Sequence, residues 1–311
     1  MSQPLVSIII PSYNYGPFIS QTLDCLLAQS YQNWEAVIID DGSTDETQQV
    51  VEGYVAKYAR FIYIHQPNQG PSVARNTGMK RARGAYLHFL DADDLLSKDK
   101  ITEQVSYMEQ HPDCDISYTR AYYFEDQKPN ELFTNRNLTK KKKDRMPKIH
   151  ARGQDVLPYL IKANIMQINA ALIRRGGILK NNFFFDESYQ SAEDWEFWLR
   201  CAYKNALFSY FDNKLAYVLI RIHPNSLSQN RVQMHEHDIK VRYAIKAYLE
   251  QFSRLKHLRK INNMYLHSPM YKAILWKDSR VSYAGVLHIM KEIGWVDTIR
   301  LIFRELKNDK K

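Results

Sequence analysis

Residues 6–16 are VSIIIPSYNYG and residues 36–45 are AVIIDDGSTD, and these two stretches decide the fold. Each begins with a β-branched apolar run and ends at a cluster of turn-forming residues, which predicts two short buried strands. Near-continuous apolar strands of this kind are typical of a parallel sheet covered on both faces. The segments after them, Pro17 to Gln29 and Thr44 to Tyr58, have helical spacing. We therefore predict a βαβα beginning of an α/β domain.

A third strand and a third helix continue the same alternation. The apolar run Phe61 to Ile64 leads through a polar loop into a helix opened by Pro71, and this helix ends before Gly84. The predicted domain is thus a Rossmann-like, mostly parallel sheet flanked by helices.

Three carboxylates follow the predicted fourth strand, AYLHFL at residues 85–90. Asp91, Asp93 and Asp94 carry hard oxygen ligands, which at a strand end suit Mg²⁺ or Mn²⁺ with a phosphorylated substrate. An acidic turn that caps the helix beginning near Lys98 is the alternative, because aspartate is common at helix N-termini. The residues at the neighbouring strand ends favour the metal site.

Ligands of open α/β sheets bind beyond the carboxyl ends of the strands. Tyr13, Asp41 and Gly70 follow the first three predicted strands, and Asp91 and Asp93 follow the fourth. One crevice would then contain an aromatic ring, a carboxylate that accepts from ribose or base, a glycine that allows close approach, and a metal site. This combination predicts a pocket for a nucleotide diphosphate.

Four strings, in this order, resemble the nucleotide-binding half of glycosyltransferase family 2: IIIPSYNYG, VIIDDGSTD, NQGPSVARNTG and FLDADD. Two later segments, SAEDWEFWLR at 191–200 and RIHPNSLS at 221–228, are similar to the family's acidic acceptor segment and its Arg-x-His-x-x-Ser ending. The resemblance implies an inverting enzyme of the GT-A fold that transfers a sugar from a nucleotide diphosphate. The motifs do not indicate which sugar.

The resemblance also implies roles for the metal-site residues. Asp93 is expected to bind Mn²⁺ or Mg²⁺ directly, while Asp91 lies nearer the ribose or a metal-bound water. His223 matches a histidine that reaches back to the metal or the diphosphate; its alternative is an ordinary loop histidine before Pro224. The cation would stabilise the negative charge that develops on the leaving diphosphate.

The acceptor hydroxyl must lose its proton as it attacks the sugar, and a carboxylate within hydrogen-bond reach can take it. By resemblance, Asp194 is the predicted catalytic base, at the start of a helix from Glu193 to about Tyr203. Glu193 is expected to orient Asp194 or the acceptor. Trp195 is expected either to stack on the acceptor sugar or to pack in the core, and for Trp198 we predict core packing.

Donor binding is assigned to residues at the strand ends. Pro11, Ser12 and Tyr13 are expected to form the floor under the base, and Asp41 to accept from the base or the ribose. Arg75, one turn into the third helix, would pair either with phosphate or with the acidic strand ends. Because this floor suits a pyrimidine, we predict UDP as the nucleotide, ahead of GDP and dTDP.

Composition agrees with a folded enzyme. The 311 residues are 45% hydrophobic and 25% charged, which is enough to bury a full core. No run approaches the roughly 18 apolar residues of a membrane-spanning helix, and the N-terminal apolar run is too short for a secretory signal. We therefore expect a cytoplasmic protein with no nucleic-acid partner. The three cysteines are far apart, and we expect reduced thiols.

The charge of the chain is concentrated in two basic regions. Residues 128–152 contain nine Lys and Arg against two Asp and Glu, and residues 240–311 contain 16 against six. The first region, a predicted loop at about 126–152, is either a solvated excursion or a contact with an anionic lipid surface or acceptor pyrophosphate. The remaining catalytic body is acidic.

We predict two domains, a GT-A catalytic domain at 1–230 and a basic helical extension at 231–311. The extension shows helical patterns from His235 to Lys260, from Asn263 to Lys277 and between 282 and 306. Such helices either pack on the parent domain or a second subunit, or make a peripheral contact with the inner face of the cell membrane.

The predicted function is transfer of a sugar to a hydroxyl of a glycan or a lipid-linked acceptor, in the synthesis of a cell-surface polysaccharide or glycolipid. A polyprenyl-phosphate sugar transferase is one alternative, although that group follows its acidic pair with Leu-Gln-His where this chain has Asp94-Leu95-Leu96. A non-catalytic sugar-nucleotide-binding protein is another, but it would have no use for both a metal pair and a base. A sugar-nucleotide pyrophosphorylase would be expected to have a glycine-rich basic loop, which residues 11–17 do not provide.

Overall fold

The computed structural model describes residues 3–139, 146–177, 183–224, 226, 231–252, 255–263 and 265, with eight single positions between 286 and 302. The strands in this part of the chain are β1 Val6–Ser12, β2 Trp34–Asp40, β3 Phe61–His65, β4 Tyr86–Phe89, β5 Leu95–Leu96, β6 Ile116–Tyr118, β7 Arg120–Glu125, β8 Lys128–Phe133, β9 His150–Arg152, β10 Ala171–Arg174, β11 Leu207–Tyr210 and β12 Tyr217–Ile222. The helices are α1 Gly16–Leu27, α2 Thr47–Val55, α3 Pro71–Arg81, α4 Lys100–Gln110, α5 Leu157–Leu160, α6 Glu193–Tyr203 and α7 Arg231–Glu250.

The main sheet has eight strands in the order β3-β2-β1-β4-β10-β6-β11-β9. Strands β3, β2, β1 and β4 are all parallel, as their helical connections require. Strand β10 then pairs antiparallel with both β4 and β6. The predicted α/β class is confirmed, and the parallel half contains the strands that the sequence indicated.

Burial explains why these residues form a central sheet. All seven residues of β2 are buried, and in β1 only Pro11 is partly exposed. Helix α3 packs on both strands at very short range, because a Cβ at Gly78 would overlap the side chains of Ile9 and Ile39. This close packing positions the N-terminus of α3 beside the ends of β1 and β2.

A second sheet, in the order β5-β12-β7-β8, corrects the prediction of a loop at about 126–152. Strand β8 pairs antiparallel with β7 as a hairpin, and β9 joins the edge of the main sheet against β11. Strand β8 is almost wholly exposed and carries Lys128 and Glu131, which is tolerated on an edge strand. Its polar composition hides it from a hydrophobicity pattern. The lysine run at 140–143 lies outside the described residues.

The chain packs as two compact units. The first contains Met1–Leu160 and Asn164–Gln229, and the second contains Ile161–Ala163 and Asn230–Lys311. In the second unit α7 buries Val241, Ile245 and Leu249 at helical spacing. The predicted single helix from His235 to Lys260 is interrupted after Glu250, and residues 256–263 are helical again.

The helix predicted from Asn263 to Lys277 lies almost entirely outside the described residues, as does most of 282–306. Within the part of the chain that is described, no helix is both long and apolar enough to cross a membrane. Cys114 and Cys201 are buried free thiols and Cys25 is a partly buried one.

Candidate active site

The carboxyl ends of β1, β2 and β4 meet at one edge of the main sheet. Ser12 pairs in register with Asp40, and Ile9 pairs with Phe89, so the residues that follow these strands are neighbours. Tyr13, Asp41 and Asp91 therefore lie along one edge, as their positions in the sequence predicted. The acids after β4 do not cap α4, whose preceding residue is Asp99.

Asp41 holds the loop that leads into α3. One carboxylate oxygen accepts hydrogen bonds from the side chain of Gln66 at 2.7 Å and from the backbone N–H of Gln69 at 3.0 Å. The other accepts from the N–H of Gly70 at 2.7 Å. Gly70 has φ +91° and ψ 169°, a conformation that only glycine adopts without strain. Asp41 thus fixes the conformation of the loop between β3 and α3.

The three residues predicted to form the floor under the base differ in their exposure to solvent. Tyr13 is 46% exposed at the end of β1, which is unusual for a large aromatic side chain and leaves its ring accessible to a ligand. Ser12 is buried, and its hydroxyl has no hydrogen-bond partner among the described residues. Pro11 is partly exposed within the strand.

Asp94 anchors the acidic turn to the protein and is not exposed to the pocket. Its carboxylate accepts from the backbone N–H of Arg221 at 2.8 Å and from the side chain of Asn169. The Arg221 guanidinium in turn donates to the carbonyl oxygen of Asp93 at 2.8 Å. Asn169 also accepts from the N–H of Asp91 at 3.1 Å. The turn is therefore held rigidly from both sides.

This rigid turn brings Asp93 against His223. Nε2 of His223 lies 2.9 Å from a carboxylate oxygen of Asp93, and both side chains are largely buried. The imidazole is packed by Phe18, with ring centroids 4.5 Å apart, and by Tyr15 at 6.3 Å. Residues 130 positions apart in the chain thus form one pair.

Arg75 joins the acidic turn to the start of α6. Its buried guanidinium donates to Asp91 at 2.9 Å and to Glu193 at 2.6 Å. Of the two partners predicted for Arg75, phosphate and the acidic strand ends, the structure contains the second. Glu193 is correspondingly engaged with Arg75, one residue from the predicted base.

Asp194 is the second residue of helix α6 and accepts two hydrogen bonds. Asn164 donates its Nδ2 to one carboxylate oxygen at 2.7 Å, and the backbone N–H of Trp195 lies 2.7 Å from the other. Burial and the neighbouring charge of Glu193 raise the pKa of Asp194 to about 7, although Asn164 and Arg75 act in the opposite direction. A carboxylate with a pKa near neutrality is suited to general-base catalysis.

Trp195 corrects one expectation. Its side chain is buried, and its indole N–H donates to the carbonyl oxygen of Leu160 at 2.8 Å. The ring therefore packs inside the protein and cannot stack on an acceptor sugar. Trp198, one turn later, is fully buried as predicted.

The model of the family described as Glycosyl transferase family 2 matches residues 7–174, which include the strand ends, α3 and the acidic turn. The chain belongs to glycosyltransferase family 2. The prediction of this family, made from the motifs, is confirmed.

Two curated relatives from Bacillus subtilis carry glycosyltransferase names. The uncharacterized glycosyltransferase EpsJ is 35% identical over 234 residues, covering 73% of this chain and 63% of its own length. The putative teichuronic acid biosynthesis glycosyltransferase TuaG is 40% identical over 119 residues, covering 38% of this chain and 46% of its own length. The chain thus spans about half to two thirds of the length of these relatives.

Two solved structures share the fold of this family 2 member. S. aureus TarS 1-349 in complex with UDP has a TM-score of 0.60 at 21% identity, covering 96% of this chain and 80% of that one. The mannosyltransferase PcManGT from Pyrobaculum calidifontis, in complex with GDP-Man and Mn²⁺, has a TM-score of 0.61 at 16% identity. The match covers 98% of this chain and 88% of PcManGT. Both likenesses confirm the GT-A fold.

The donor set of the acidic turn fits a divalent cation. Burial and the repulsion of neighbouring carboxylates raise the pKa of Asp91 and of Asp94, and burial together with the charges of Asp93, Asp91 and Asp94 raises the pKa of the Tyr15 phenol. A bound cation would offset this crowding of negative charge. The described residues contain no cluster of three metal-ligating side chains. Mg²⁺ and Mn²⁺ bound with phosphates need only one or two carboxylates, and the acidic turn provides carboxylates.

Three residues of the site were not found from the sequence. Asn169 and Asn164 position Asp94 and Asp194, but each is a single amide in an irregular segment with no motif around it. Arg221 lies within the quoted Arg-x-His motif, which was the only signal for its contact with the acidic turn.

Proposed function

We propose that the protein transfers a sugar, with inversion of the anomeric configuration, from a UDP-sugar to a hydroxyl of a glycan or a lipid-linked glycan. The observation that carries the proposal is the arrangement around Arg75. This one buried guanidinium contacts Asp91 of the acidic turn and Glu193 beside the candidate base. The residues assigned to the donor diphosphate and to the acceptor proton thus belong to one connected network.

On the donor side, the exposed ring of Tyr13 provides a face for the base, and Asp41 holds the loop at Gly70 that borders it. The absence of a Cβ at Gly70 lets the carboxamide of Gln190 pack against this loop. Asp41 has lone pairs beyond those that the loop uses, and we assign one to the base or the ribose. UDP is supported by the complex of the structural neighbour TarS with UDP.

Asp93 and His223 would hold Mn²⁺ or Mg²⁺, with Asp91 directed toward the ribose or a metal-bound water. When bound, the cation supplies electrostatic stabilisation of the leaving diphosphate. The Mn²⁺ in the structural neighbour PcManGT supports this assignment. The turn held by Asn169 and Arg221 keeps the Asp93 carboxylate oriented before the ligand arrives.

On the acceptor side, Asp194 takes the proton of the attacking hydroxyl. Its ionised form is stabilised by the Asn164 side chain and by the charge of Arg75, so a usable fraction is ionised at neutral pH. A single base opposite the leaving diphosphate corresponds to one in-line displacement, which inverts the anomeric centre. The putative role of the relative TuaG in teichuronic acid biosynthesis supports an acceptor in cell-surface polysaccharide synthesis.

A thermal-shift screen with UDP, GDP and dTDP, each with Mn²⁺ and with EDTA, tests the donor assignment. We expect the largest rise in melting temperature with UDP and Mn²⁺, because only the nucleotide with its cation engages both Tyr13 and Asp93. A larger rise with GDP or dTDP would show that this nucleotide, and not UDP, is the one the protein binds. No rise with any of the three would contradict the proposed function.

We also propose that the protein is cytoplasmic and that its basic C-terminal segment contacts the inner face of the cell membrane. Residues 240–311 have an excess of ten positive charges, counted as 16 Lys and Arg against six Asp and Glu. Such segments are attracted to anionic lipids and released by salt. Flotation of the full chain with anionic vesicles at low salt, but not with neutral vesicles, is the expected result. Recovery of the protein in the soluble fraction with both kinds of vesicle would contradict the proposed membrane contact.

A further inference from the structure

A cavity of about 250 Å³ lies between the β7–β8 hairpin and the segment 164–167. It is separate from the nucleotide-binding edge, and Asn164 forms part of its wall. Seven of its lining residues are polar, among them Tyr123, Arg136, Asn137, Asn164 and Gln167. Amides, hydroxyls and a guanidinium around a small cavity are the groups that recognise the hydroxyls of a sugar ring.

Asn164 connects this cavity with the catalytic base. Its Nδ2 donates to Asp194 at 2.7 Å, while the same side chain contributes to the cavity wall. Its Oδ1 is buried without a hydrogen-bond partner among the described residues. An unpaired buried carbonyl oxygen is unfavourable, and a hydroxyl group donated by a ligand would satisfy it.

The two walls of the cavity are joined to each other independently of Asp194. Gln167 donates its Nε2 to the Tyr123 hydroxyl at 3.1 Å, which ties the segment 164–167 to β7. After the end of β8, the Asn135 amide donates to the Thr139 carbonyl oxygen and closes a separate turn. The cavity is therefore a built feature of the first unit, formed by segments that are distant in sequence.

We propose that this cavity is the subsite for the acceptor sugar, and that Asn164 is the positioning residue that brings an acceptor hydroxyl to Asp194. The inference rests on the proposed function and adds to it the place and the chemical class of the acceptor, a pyranose ring. In the transfer step the acceptor oxygen forms the new bond to the anomeric carbon. The bond to the diphosphate breaks, and the hydroxyl proton passes to Asp194.

The subsite is tested by measuring how much of the donor's sugar is transferred to water and how much to an added acceptor sugar. UDP-N-acetylglucosamine and UDP-glucose are incubated, one at a time, with Mn²⁺ and a high concentration of glucose, N-acetylglucosamine or glucuronate as the probe. Free sugar and disaccharide are then measured. In the wild type we expect disaccharide with at least one probe. Asn137→Trp, which places an indole at the exposed rim of the cavity, should lower the disaccharide at least tenfold and leave UDP binding and hydrolysis unchanged.

Asn130→Trp is the matched control, because Asn130 is exposed on β8 and does not line the cavity. It should keep the wild-type product ratio. Equal disaccharide from Asn137→Trp and Asn130→Trp would overturn the inference, as would a wild type that binds UDP and hydrolyses the donor but transfers to none of the probes. Absence of both UDP binding and hydrolysis would instead overturn the proposed function, and the inference with it.

The positioning role of Asn164 has a separate readout in the pH profile of UDP release. Asn164→Ala removes a hydrogen bond to the ionised carboxylate, so the acidic limb should move upward by about one pH unit. The charges that face Asp194 in addition, Glu193 and Arg75, are unchanged in this variant. Asn164→Asp, which preserves size, should move the limb further in the same direction because a second carboxylate faces the base.

Gln167→Ala is the control for the profile, since Gln167 lines the same cavity without contacting Asp194. Its acidic limb should coincide with that of the wild type. If the acidic limb of the pH profile stays at its wild-type position in both Asn164 variants, Asn164 has a purely structural role. That result would overturn this part of the inference.

Discussion

The donor side and the acceptor side of the site are built in different ways. The donor side comes mainly from strand ends within the first 96 residues, where Asp41, Gly70 and Asp91 follow consecutive parallel strands, and His223 joins it after β12. The acceptor side combines α6 with the irregular segment 164–167 and the β7–β8 hairpin. A parallel sheet positions its strand ends by topology, whereas the acceptor side depends on individual side-chain contacts. The donor side is therefore expected to determine nucleotide binding, and the acceptor side to determine the chemistry and the choice of acceptor.

The sharpest test of the donor side is Asp93→Ala. This change removes one of the two proposed protein ligands of the cation, so transfer should fall by at least about a thousandfold and Mn²⁺-dependent UDP affinity should be lost. The melting temperature is measured alongside, because the change also removes the buried hydrogen-bond partner of His223. Calorimetric titration of UDP with Mn²⁺ measures the affinity.

Asp113→Ala is a suitable control, since Asp113 is an exposed acid whose ion pair with Arg152 spans 3.8 Å. It should bind UDP as the wild type does. A folded Asp93→Ala protein that kept metal-dependent UDP binding would contradict the assignment of Asp93.

The acceptor side should control the pH dependence of turnover. With a pKa of about 7, Asp194 is protonated below neutrality and cannot accept a proton, so the rate should fall about tenfold for each pH unit below 7. Above that value the rate should level off, because the base is fully ionised. An unperturbed aspartate would keep its activity down to about pH 4. UDP release measured from about pH 5 to pH 9 at saturating donor gives the profile, and a flat rate between pH 5 and pH 7 would exclude Asp194 as the base.

Gly70→Ala tests whether the loop conformation supports donor binding. Gly70 has φ +91°, and a Cβ there would overlap the carboxamide of Gln190. We expect a loss of about 1–3 kcal/mol in the free energy of unfolding, together with a raised KM for the donor. Chemical denaturation and initial-rate kinetics measure the two effects. An unchanged donor KM would show that this loop does not contribute to the nucleotide pocket.

The smallest expected effect is that of Gly53→Ala, which serves as the matched glycine control. Gly53 lies inside α2 with an ordinary helical conformation, and a Cβ there would have no neighbour within 4 Å. Alanine should therefore raise the free energy of unfolding by about 0.5–1 kcal/mol without any change in KM. Destabilisation by this variant would show that alanine substitution is not a clean probe of the backbone at Gly70.

The same contrast explains how far the sequence alone could lead. The strands and helices from Val6 to Phe89 were predictable because apolar runs and turn residues mark each boundary, and α6 was predicted at its observed bounds, Glu193–Tyr203. Strand β8 was not predictable, because an exposed edge strand has no apolar face to show. The contact of Arg75 with Glu193 joins residues 118 positions apart, and only packing determines it. Trp195 was equally consistent with stacking or burial until the position of Leu160 was known.

The most direct test of the whole account is a comparison of Asp194→Asn with the wild type, because it separates donor binding from chemistry. The amide keeps the size of the side chain but cannot accept the proton. The account predicts UDP affinity within a few-fold of the wild type, and transfer lowered by roughly 10² to 10⁴. It also predicts a wild-type product whose anomeric configuration, determined by NMR, is opposite to that of the donor. An Asp194→Asn enzyme with near-normal turnover, or a product that retains the donor's configuration, would contradict the account.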